Sequence, residues 1–344
     1  MNLGKLGKAL TILDRNIADT VGQVDVEVKD DCFTIYANTS DVGLEYKVRA
    51  LEIDADRVSV DMKSFRAMCG VGTCHADLSD RLVVTDDQCE ATISTSEAIA
   101  IDAPWESETE AIPRSLSDRN DLADKLTFIL RAISREADRV ALASAAFGGS
   151  RGISATDGHR LHWVEFDAEP SEQRLIPFNV VDLLLRCLKF DSTVPTVAIQ
   201  WGAKSVLFSV GNWQISSVYT DARFPPIENV IPSNFEADPK FNFDSKRFTK
   251  ALKKLSKINN RIVYYEANGT VLFKAENSAG GSISVDLKTT PTRSPEYTPR
   301  GVCPRYVIEA LAGESGAMYL PDDVMSAIVI EHSIGHAVVM PMRL

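Results

Sequence analysis

The hydrophobic positions of the chain follow two periods, one typical of amphipathic helices and the other typical of strands. Three segments with helical spacing share a related pattern: KALTIL from Lys8, KLTFIL from Lys125 and KALKKL from Lys250. Their starting positions lie 117 and 125 residues apart. A second helical segment follows each of them after 55, 54 and 55 residues, beginning at Lys63, Asn179 and Arg305. This recurrence predicts an internal repeat of three units.

Segments with strand-like alternation lie between and after these helices, including RLVVTDD, TVAIQW, SVLFSV, AIVIEH and HAVVMP. In RIVYYEANGTVLFKA, the pair Asn268 and Gly269 predicts a tight hairpin turn. The order of helix, strands, helix and strands predicts an α+β fold in which each domain packs two helices on antiparallel sheets. Polar stretches rich in proline, serine and acidic residues place the domains at 1–108, 119–232 and 233–344.

The composition agrees with a globular protein of several domains. A length of 344 residues exceeds the size at which one hydrophobic core usually stops growing. The hydrophobic content is 44% and the charged content 25%, and no apolar run approaches the roughly 20 residues that span a bilayer. We therefore predict a cytoplasmic protein.

The six cysteines include no CxxC pair, which disfavours both a disulfide framework and a usual structural zinc site. One cluster, Cys69, Cys74, His75 and Cys89, has the residue types of a zinc site but lacks the close paired spacing. Packing is the favoured interpretation of these residues, and bound zinc is the alternative. We predict no metal and no cofactor.

The distribution of charge matters more than the net charge of −11, which by itself argues against nucleic-acid binding. On a helix, Lys246, Lys250, Lys253 and Lys257 fall within about 60° of one another, opposite an apolar face. Asp244 or Ser245 is suited to cap the start of that helix. Weaker basic stripes recur in the other two repeats, at Lys5, Lys8 and Arg15 and at Lys125, Arg131 and Arg135. The alternative interpretation is a solvated helix face without a partner.

Asp157 and His159 raise the question of a catalytic dyad, with a serine or Cys187 as the nucleophile. No nucleophile elbow, phosphate loop or metal cluster accompanies them. A polar turn between two strands explains ATDGHRL equally well. We therefore predict that the protein is not an enzyme, and a catalytic role for this region stays the weakest alternative.

Three segments, ATDGHRL at 155–161, RFPPIENVIP at 223–232 and the terminal VVMPMRL, together resemble the bacterial DNA polymerase III β subunit family, the replication sliding clamps. The resemblance implies three clamp domains per chain and a head-to-tail homodimer that closes a ring around duplex DNA. It implies sequence-independent contacts between DNA and the helices inside the ring, because sliding requires phosphate contacts without base readout. The implied DNA-facing residues are Lys5, Lys8, Arg15, Lys63, Lys125, Arg131, Arg135, Lys246, Lys250, Lys253, Lys257 and Arg305.

The resemblance also implies a pocket for short hydrophobic peptides of DNA polymerase and of an ATP-driven clamp loader, with no membrane partner. Methionines suit such a pocket because their flexible side chains adapt to different ligands. Asn229 stands where many members carry a basic residue, so peptide preference is expected to differ. The alternative function is a clamp-like peptide-binding adaptor that does not encircle DNA. The implied pocket residues are Leu142, Thr156, Gly158, His159, Arg160, Leu161, Pro225, Val230, Val338, Met340, Pro341, Met342, Arg343 and Leu344.

Overall fold

The structure is a computed structural model of a single chain, and it describes most residues between Lys8 and Met342. The positions outside the description are 1–7, 10, 13–22, 30–31, 50–54, 69–74, 79–80, 86–89, 99–100, 102, 108–113, 137, 169, 171, 191–192, 234, 238–239, 260–261, 268–269, 277–279, 287–299, 322, 324 and 343–344. Among the expected site residues, Lys5, Arg15, Arg343 and Leu344 lie outside the described residues.

The helices of the described part follow the predicted pattern. They are α1 (Met62–Met68), α2 (Arg119–Ile129), α3 (Phe178–Phe190), α4 (Ser245–Leu255) and α5 (Pro304–Ala310). Short 3-10 helices occupy Pro104–Ser107, Ile227–Asn229 and Phe235–Ala237. In the segment that begins at Lys8, the described positions 8–9 and 11–12 are helical.

The helical extent expected around Lys125 is wrong for Arg131 and Arg135, because α2 ends at Ile129. Leu130 and Ile133 continue the apolar spacing and are buried, but the chain turns away from the helix axis there. Arg131 belongs to this turn, and its carbonyl accepts a hydrogen bond from Arg160, a residue far along the chain. A tertiary contact therefore replaces the continuation that local periodicity predicts.

The strands alternate with these helices along the chain. The first half contains β1 (Gln23–Lys29), β2 (Cys32–Asn38), β3 (Val42–Arg49), β4 (Ala55–Asp61), β5 (His75–Leu78), β6 (Arg81–Thr85), β7 (Glu90–Glu97), β8 (Ser115–Asp118), β9 (Ser144–Phe147), β10 (Ile153–Thr156) and β11 (Arg160–Val164). The second half contains β12 (Arg174–Pro177), β13 (Thr196–Trp201), β14 (Ser205–Val210), β15 (Trp213–Val218), β16 (Lys240–Phe243), β17 (Ile262–Ala267), β18 (Thr270–Glu276), β19 (Ser282–Asp286), β20 (Arg300–Val302), β21 (Gly316–Tyr319), β22 (Ile328–His332) and β23 (His336–Val339).

The chain folds into two compact units, each built from two separate segments. The first unit combines Met1–Ala123 with Asn179–Tyr219. Its described strands form one sheet in the order β5-β6-β7-β4-β1-β2-β3-β15-β14-β13-β8. Tyr46 of β3 packs against Trp213 of β15, with ring centroids 4.4 Å apart, and the rings of both contact Phe190. Antiparallel pairing of β3 with β15 thus joins distant parts of the sequence in one core.

The second unit combines Asp124–Phe178 with Thr220–Leu344. Its described strands form one sheet in the order β12-β9-β10-β11-β23-β22-β21-β16 and another in the order β19-β18-β17-β20. The pairing predicted for the hairpin is confirmed, because β17 and β18 pair antiparallel with Ala267 opposite Thr270. The turn residues Asn268 and Gly269 lie outside the described residues. The α+β prediction is confirmed as well. The domain boundaries 1–108, 119–232 and 233–344 stay a prediction, as does the head-to-tail ring.

Helix α4 shows how local sequence sets one amphipathic element. Asp244 caps its start, and the carboxylate accepts a hydrogen bond of 2.7 Å from the backbone N–H of Arg247. Of the apolar residues predicted for the inner face, Phe248, Ala251, Leu252 and Leu255 are buried, whereas Ile258 follows the end of the helix and is partly buried. The lysines on the other face are exposed to solvent. The predicted cap and the predicted apolar face are therefore both confirmed.

Candidate functional site

The terminal segment is docked on the second unit as far as the structure describes it. The N–H of Met340 donates to the carbonyl of His159 at 3.0 Å, and the N–H of Met342 donates to the carbonyl of Gly301 at 2.8 Å. Pro341, which has no N–H to satisfy, lies between these two anchored residues. The tail thus bridges the end of β11 and strand β20, and the expectation of a docked tail is confirmed up to Met342.

The residues between β10 and β11 form the predicted polar turn. Asp157 Oδ1 accepts hydrogen bonds from the N–H groups of His159 and Arg160 at 3.0 and 3.1 Å. Thr156 Oγ accepts from the N–H of Gly158, whose φ of 89° suits glycine. The side chain of Asp157 is therefore occupied in holding the turn. The structural role of Asp157 in the turn explains why Asp157 and His159 lie close together, without a catalytic dyad.

Cys187 does not offer a nucleophile. The residue is completely buried in the first unit. Burial raises the pKa of its thiol well above the ordinary value, which disfavours the reactive thiolate. Its position on α3 is that of a core residue.

Three sequence segments converge on one apolar cluster of the second unit. Leu161 comes from ATDGHRL and Val338 from VVMPMRL, whose Met340 packs against the cluster. Phe224, Ile227 and Ile231 come from RFPPIENVIP. The cluster also contains Ala146, Trp163, Leu175, Ala317, Tyr319, Ala327 and Val329, with Ala141 and Phe235 packed against it. The tertiary structure thus brings together the segments that carried the resemblance.

The expected pocket residues differ in their exposure. Val230 is 41% exposed, and Leu142, Pro225, Pro341 and Met342 are partly buried. These five side chains are available at the surface of the second unit. Gly158 and His159 are exposed in the adjacent turn, whereas Thr156, Leu161 and Val338 are buried beneath it.

Arg160 is buried, only 4% exposed, and lies at the centre of an ionic network. Its Nε donates to Asp157 Oδ2 at 3.1 Å, and its Nη1 donates to Glu309 Oε2. Its Nη2 donates to the carbonyl of Arg131, and its guanidinium lies 4.6 Å from the ring centroid of Tyr306. In this conformation Arg160 supports the turn from beneath and does not present its charge to a ligand.

Helix α5 supplies two residues that the sequence reasoning missed, Tyr306 and Glu309. The Tyr306 ring stacks nearly parallel to the His159 ring, with centroids 6.2 Å apart. Burial opposes ionisation of Glu309, but hydrogen bonds and charge from Arg160 and Arg305 hold the pKa of its carboxyl below the ordinary value. The spacing of Arg305 and Glu309, four residues apart on a helix, was the available signal for the ion pair.

Two of the expected DNA-facing residues belong to this network. Arg131 is half-buried, and its Nη1 donates to the backbone carbonyl of Glu309 at 3.0 Å. Burial lowers the pKa of Arg131. Arg305 is exposed, and its Nε lies 3.0 Å from Glu309 Oε1.

A third expected DNA-facing residue, Arg135, lies over the ring of Phe178, with its guanidinium carbon 3.5 Å from the ring centroid.

A basic depression of about 490 Å³ follows α4 on the second unit. All four predicted lysines line it, although Lys257 lies in the turn after the helix has ended at Leu255. Lys254 and Gly313 join the lining and were not predicted. The depression therefore concentrates positive charge in a chain whose net charge is negative.

A second basic depression, of about 340 Å³, lies on the first unit. Its lining includes the predicted Lys8 and two cations of α3 that the sequence reasoning missed, Arg186 and Lys189. Arg186 also pairs with Asp182 at 2.7 Å. Elsewhere on the helices, Lys63 of α1 is exposed and Lys125 of α2 is partly exposed.

No group of residues suited to hold a metal ion occurs within the described part of the chain. Of the cysteine cluster, Cys69, Cys74 and Cys89 lie outside the described residues. None of the helices described here combines the length and the apolar composition that a membrane crossing requires.

No protein-family model and no curated protein matches the sequence. Solved structures do match it over its whole length. A DNA polymerase sliding clamp from Pseudomonas aeruginosa, solved with a ligand, has 18% identity and a TM-score of 0.87, covering 100% of this chain and 99% of that one. A DNA polymerase III β subunit from Thermotoga maritima has 20% identity and a TM-score of 0.82, with coverage of 100% and 98%.

A sliding clamp from Bartonella birtlesii, bound to griselimycin, has 20% identity and a TM-score of 0.83, with coverage of 100% and 99%. Because the sequence identities are this low, the similarity between this chain and these structures rests on their backbone geometry. The agreement extends from one end of the chain to the other. The chain therefore has the fold of the bacterial DNA polymerase III β sliding clamps.

Proposed function

We propose that the protein is a non-enzymatic DNA sliding clamp that tethers a replicative polymerase and other peptide-bearing partners to duplex DNA. The observation that carries the proposal is the docking of the methionine-bearing tail beside the apolar cluster, in a chain that has the clamp fold throughout. Tethering raises the effective concentration of the polymerase at the DNA, so processivity increases without any chemistry by the clamp.

The surface beside the tail suits short hydrophobic peptides. Val230, Pro341 and Met342 offer apolar contact area, and Met340 anchors this surface to the buried cluster. Because the methionine side chains are unbranched, they adapt to anchors of different shape. A few buried apolar anchors would supply most of the binding free energy. The proposal also assigns to this site Arg343 and Leu344, which lie outside the described residues.

The two basic depressions suit the phosphate backbone of DNA. The five lysines along α4 and its following turn present ammonium groups, which bind phosphate as point charges without reading bases. Contacts of this kind release counterions, weaken steeply with salt and carry no sequence information, so they are compatible with sliding. The proposal places the depressions on the inner face of a ring made by two chains in head-to-tail contact.

Several partners follow from a closed ring. An ATP-driven loader must open it on DNA, so no nucleotide site is required in the clamp itself. The proposal includes no cofactor and no membrane partner. It places the protein in the cytoplasm, where bacterial DNA is replicated.

The test combines molar mass with topology. Light scattering across a concentration series should give two copies of the 37.7 kDa chain. The protein is then loaded on a nicked circular plasmid by its clamp loader and ATP, and half of the sample is linearised with a restriction enzyme. Retention on circles and loss from linear DNA are expected for a ring that slides off an end. Equal retention on both forms would contradict encirclement.

One observation favours the alternative, a peptide-binding adaptor. Every described residue of the proposed peptide site lies in the second unit of a single chain, so peptide binding does not require a dimer. A protein that stays monomeric at all concentrations and still binds griselimycin would support the adaptor. A dimer retained on circular DNA would exclude it.

A further inference from the structure

We propose that Glu309 of α5 is a positioning residue of the peptide site, acting through Arg160 on the docked tail. The ligand named here rests on the proposed function, whereas the positioning itself concerns contacts within the chain. Glu309 is not among the residues that offer contact area to a peptide. Its carboxylate instead joins helix α5 to the turn at 157–160.

Both carboxylate oxygens of Glu309 are engaged by guanidinium groups. Oε2 accepts from Arg160 Nη1, and Oε1 lies 3.0 Å from Arg305 Nε. The backbone carbonyl of the same residue accepts from Arg131 Nη1 at 3.0 Å. Glu309 therefore contacts three arginines. Among the described acidic residues, Glu309 and Asp157 are the two that form ion pairs with buried Arg160.

The path from Arg160 to the tail is short and consists of described hydrogen bonds. Asp157 holds the Arg160 side chain through Oδ2 and the N–H groups of His159 and Arg160 through Oδ1. The carbonyl of His159 accepts from the N–H of Met340. Arg160 also lies opposite Val339 in the pairing of β11 with β23. A displacement of the Arg160 side chain would thus be transmitted to the first residue of the tail.

The charge of Glu309 helps to keep Arg160 in place, together with that of Asp157. The Arg160 side chain is only 3% exposed, so its charge depends on protein partners for compensation. Without the Glu309 charge, buried Arg160 would keep Asp157 as its one carboxylate partner among the described residues, and a buried charge that is only partly compensated is unfavourable. Arg160 would then shift toward water, and the turn that it braces would loosen. The Met340 amide and the surface beside it would lose their fixed position.

The test compares the wild-type chain with Glu309→Gln, which keeps the shape of the side chain and removes its charge. Hydrogen exchange of the Met340 amide should be at least about tenfold faster in the variant, because its bond to His159 opens more often. Exchange at Ser256, whose N–H donates to Leu252 in α4, should stay within about twofold. Accelerated exchange at both amides would indicate general destabilisation and would overturn the proposal.

Binding of griselimycin, measured by calorimetry, provides the second readout. We expect the dissociation constant of griselimycin to be about tenfold larger for Glu309→Gln, which corresponds to a loss of about 1.4 kcal/mol in binding free energy. The matched control is Glu314→Gln, which removes an exposed carboxylate of the same unit whose contact is with the Ser333 hydroxyl. The control should bind as the wild type does. Unchanged affinity and unchanged Met340 exchange in Glu309→Gln would refute the positioning role.

Two outcomes of this test require a further measurement: a variant that does not fold, and a wild type that does not bind griselimycin. If Glu309→Gln does not fold, Glu309→Asp replaces it, because aspartate keeps the charge but is one methylene too short to engage both arginines. The same exchange and affinity criteria then apply. If the wild type itself does not bind griselimycin, the peptide-site assignment loses its support, while Met340 exchange still decides the positioning role.

Discussion

His162 should contribute a loss of folding stability as the pH falls from neutral to moderately acidic, and replacing it should remove that contribution. His162 is fully buried on β11, and its ring stacks on Phe128 with centroids 4.2 Å apart. Nδ1 lies 2.9 Å from the Phe128 carbonyl, which can only accept, so Nδ1 carries the proton of the neutral ring. Nε2 is buried without a hydrogen-bond partner among the described residues. Protonation of Nε2 would bury a charge with no compensation.

The size of the effect follows from the shifted pKa. Burial, followed by the charges of Arg160, Arg131 and His332, lowers the pKa of His162 from 6.5 to about 3, and only its bond to Phe128 opposes the shift. Below pH 6.5 the unfolded chain binds a proton that the folded chain refuses, so the free energy of unfolding falls as pH falls. At about 1.4 kcal/mol per pH unit, the loss between about pH 7.5 and about pH 4.5 is about 2–3 kcal/mol.

The assay is urea unfolding of the wild type and of His162→Gln at both pH values, followed by circular dichroism. The difference in unfolding free energy between the two pH values should shrink by about 2–3 kcal/mol in the variant. Burial lowers the pKa of His332 and of His336 as well, so a dependence of the same sign should remain. Ile129→Ala is the control, because it destabilises the neighbouring core without removing an ionisable group. An unchanged pH dependence in His162→Gln would refute the reasoning.

Four further predictions concern the tail, the basic surfaces and one core residue. Met342→Ala should weaken griselimycin binding severalfold and leave the molar mass unchanged; wild-type affinity in calorimetry would contradict the site. Lys250→Glu combined with Lys253→Glu should reduce loading on circular DNA and flatten the salt dependence of binding by about 0.9 per lost phosphate contact; undiminished loading would contradict a DNA-facing role. Lys189→Glu, in the lining of the second depression, should likewise reduce loading on circular DNA and flatten the salt dependence of binding, as measured by the same salt titration. Phe248→Ala should lower the free energy of unfolding by about 3–5 kcal/mol in urea titrations, because the ring is 2% exposed against Phe243 and Phe273.

Short-range patterns in the sequence determined individual elements of this protein. Asp244 and the apolar spacing after it predict α4, because capping and amphipathicity act within a few residues. Asn268 and Gly269 predict the hairpin of β17 and β18 for the same reason. The turn at 157–160 is likewise local, since Asp157 bonds to the next residues along the chain. The lysine stripe of α4 could be located in advance because helix geometry alone sets which side chains share a face.

The tertiary structure decided the elements that depend on distant partners. α2 ends at Ile129 although the apolar spacing continues, because the following turn contacts Arg160. Arg131 accordingly enters an ionic network instead of a helical stripe. Glu309 lies 149 residues from Arg160, a separation at which no local pattern identifies the partner of a charge. Tyr306 was missed for the same reason, since its role depends on the stack with His159.

The sequence by itself determined the α+β class, the recurring helices and the three segments that carry the resemblance. Only the tertiary structure decided which strands meet across long separations. β3 pairs with β15, and β11 pairs with β23, so the compact units combine segments that are far apart in the chain. Helices and hairpins follow from interactions between near neighbours, whereas sheet partners are selected by side-chain packing on both strands. The same pairing of β11 with β23 brings the tail to the turn at 157–160 and so creates the candidate site.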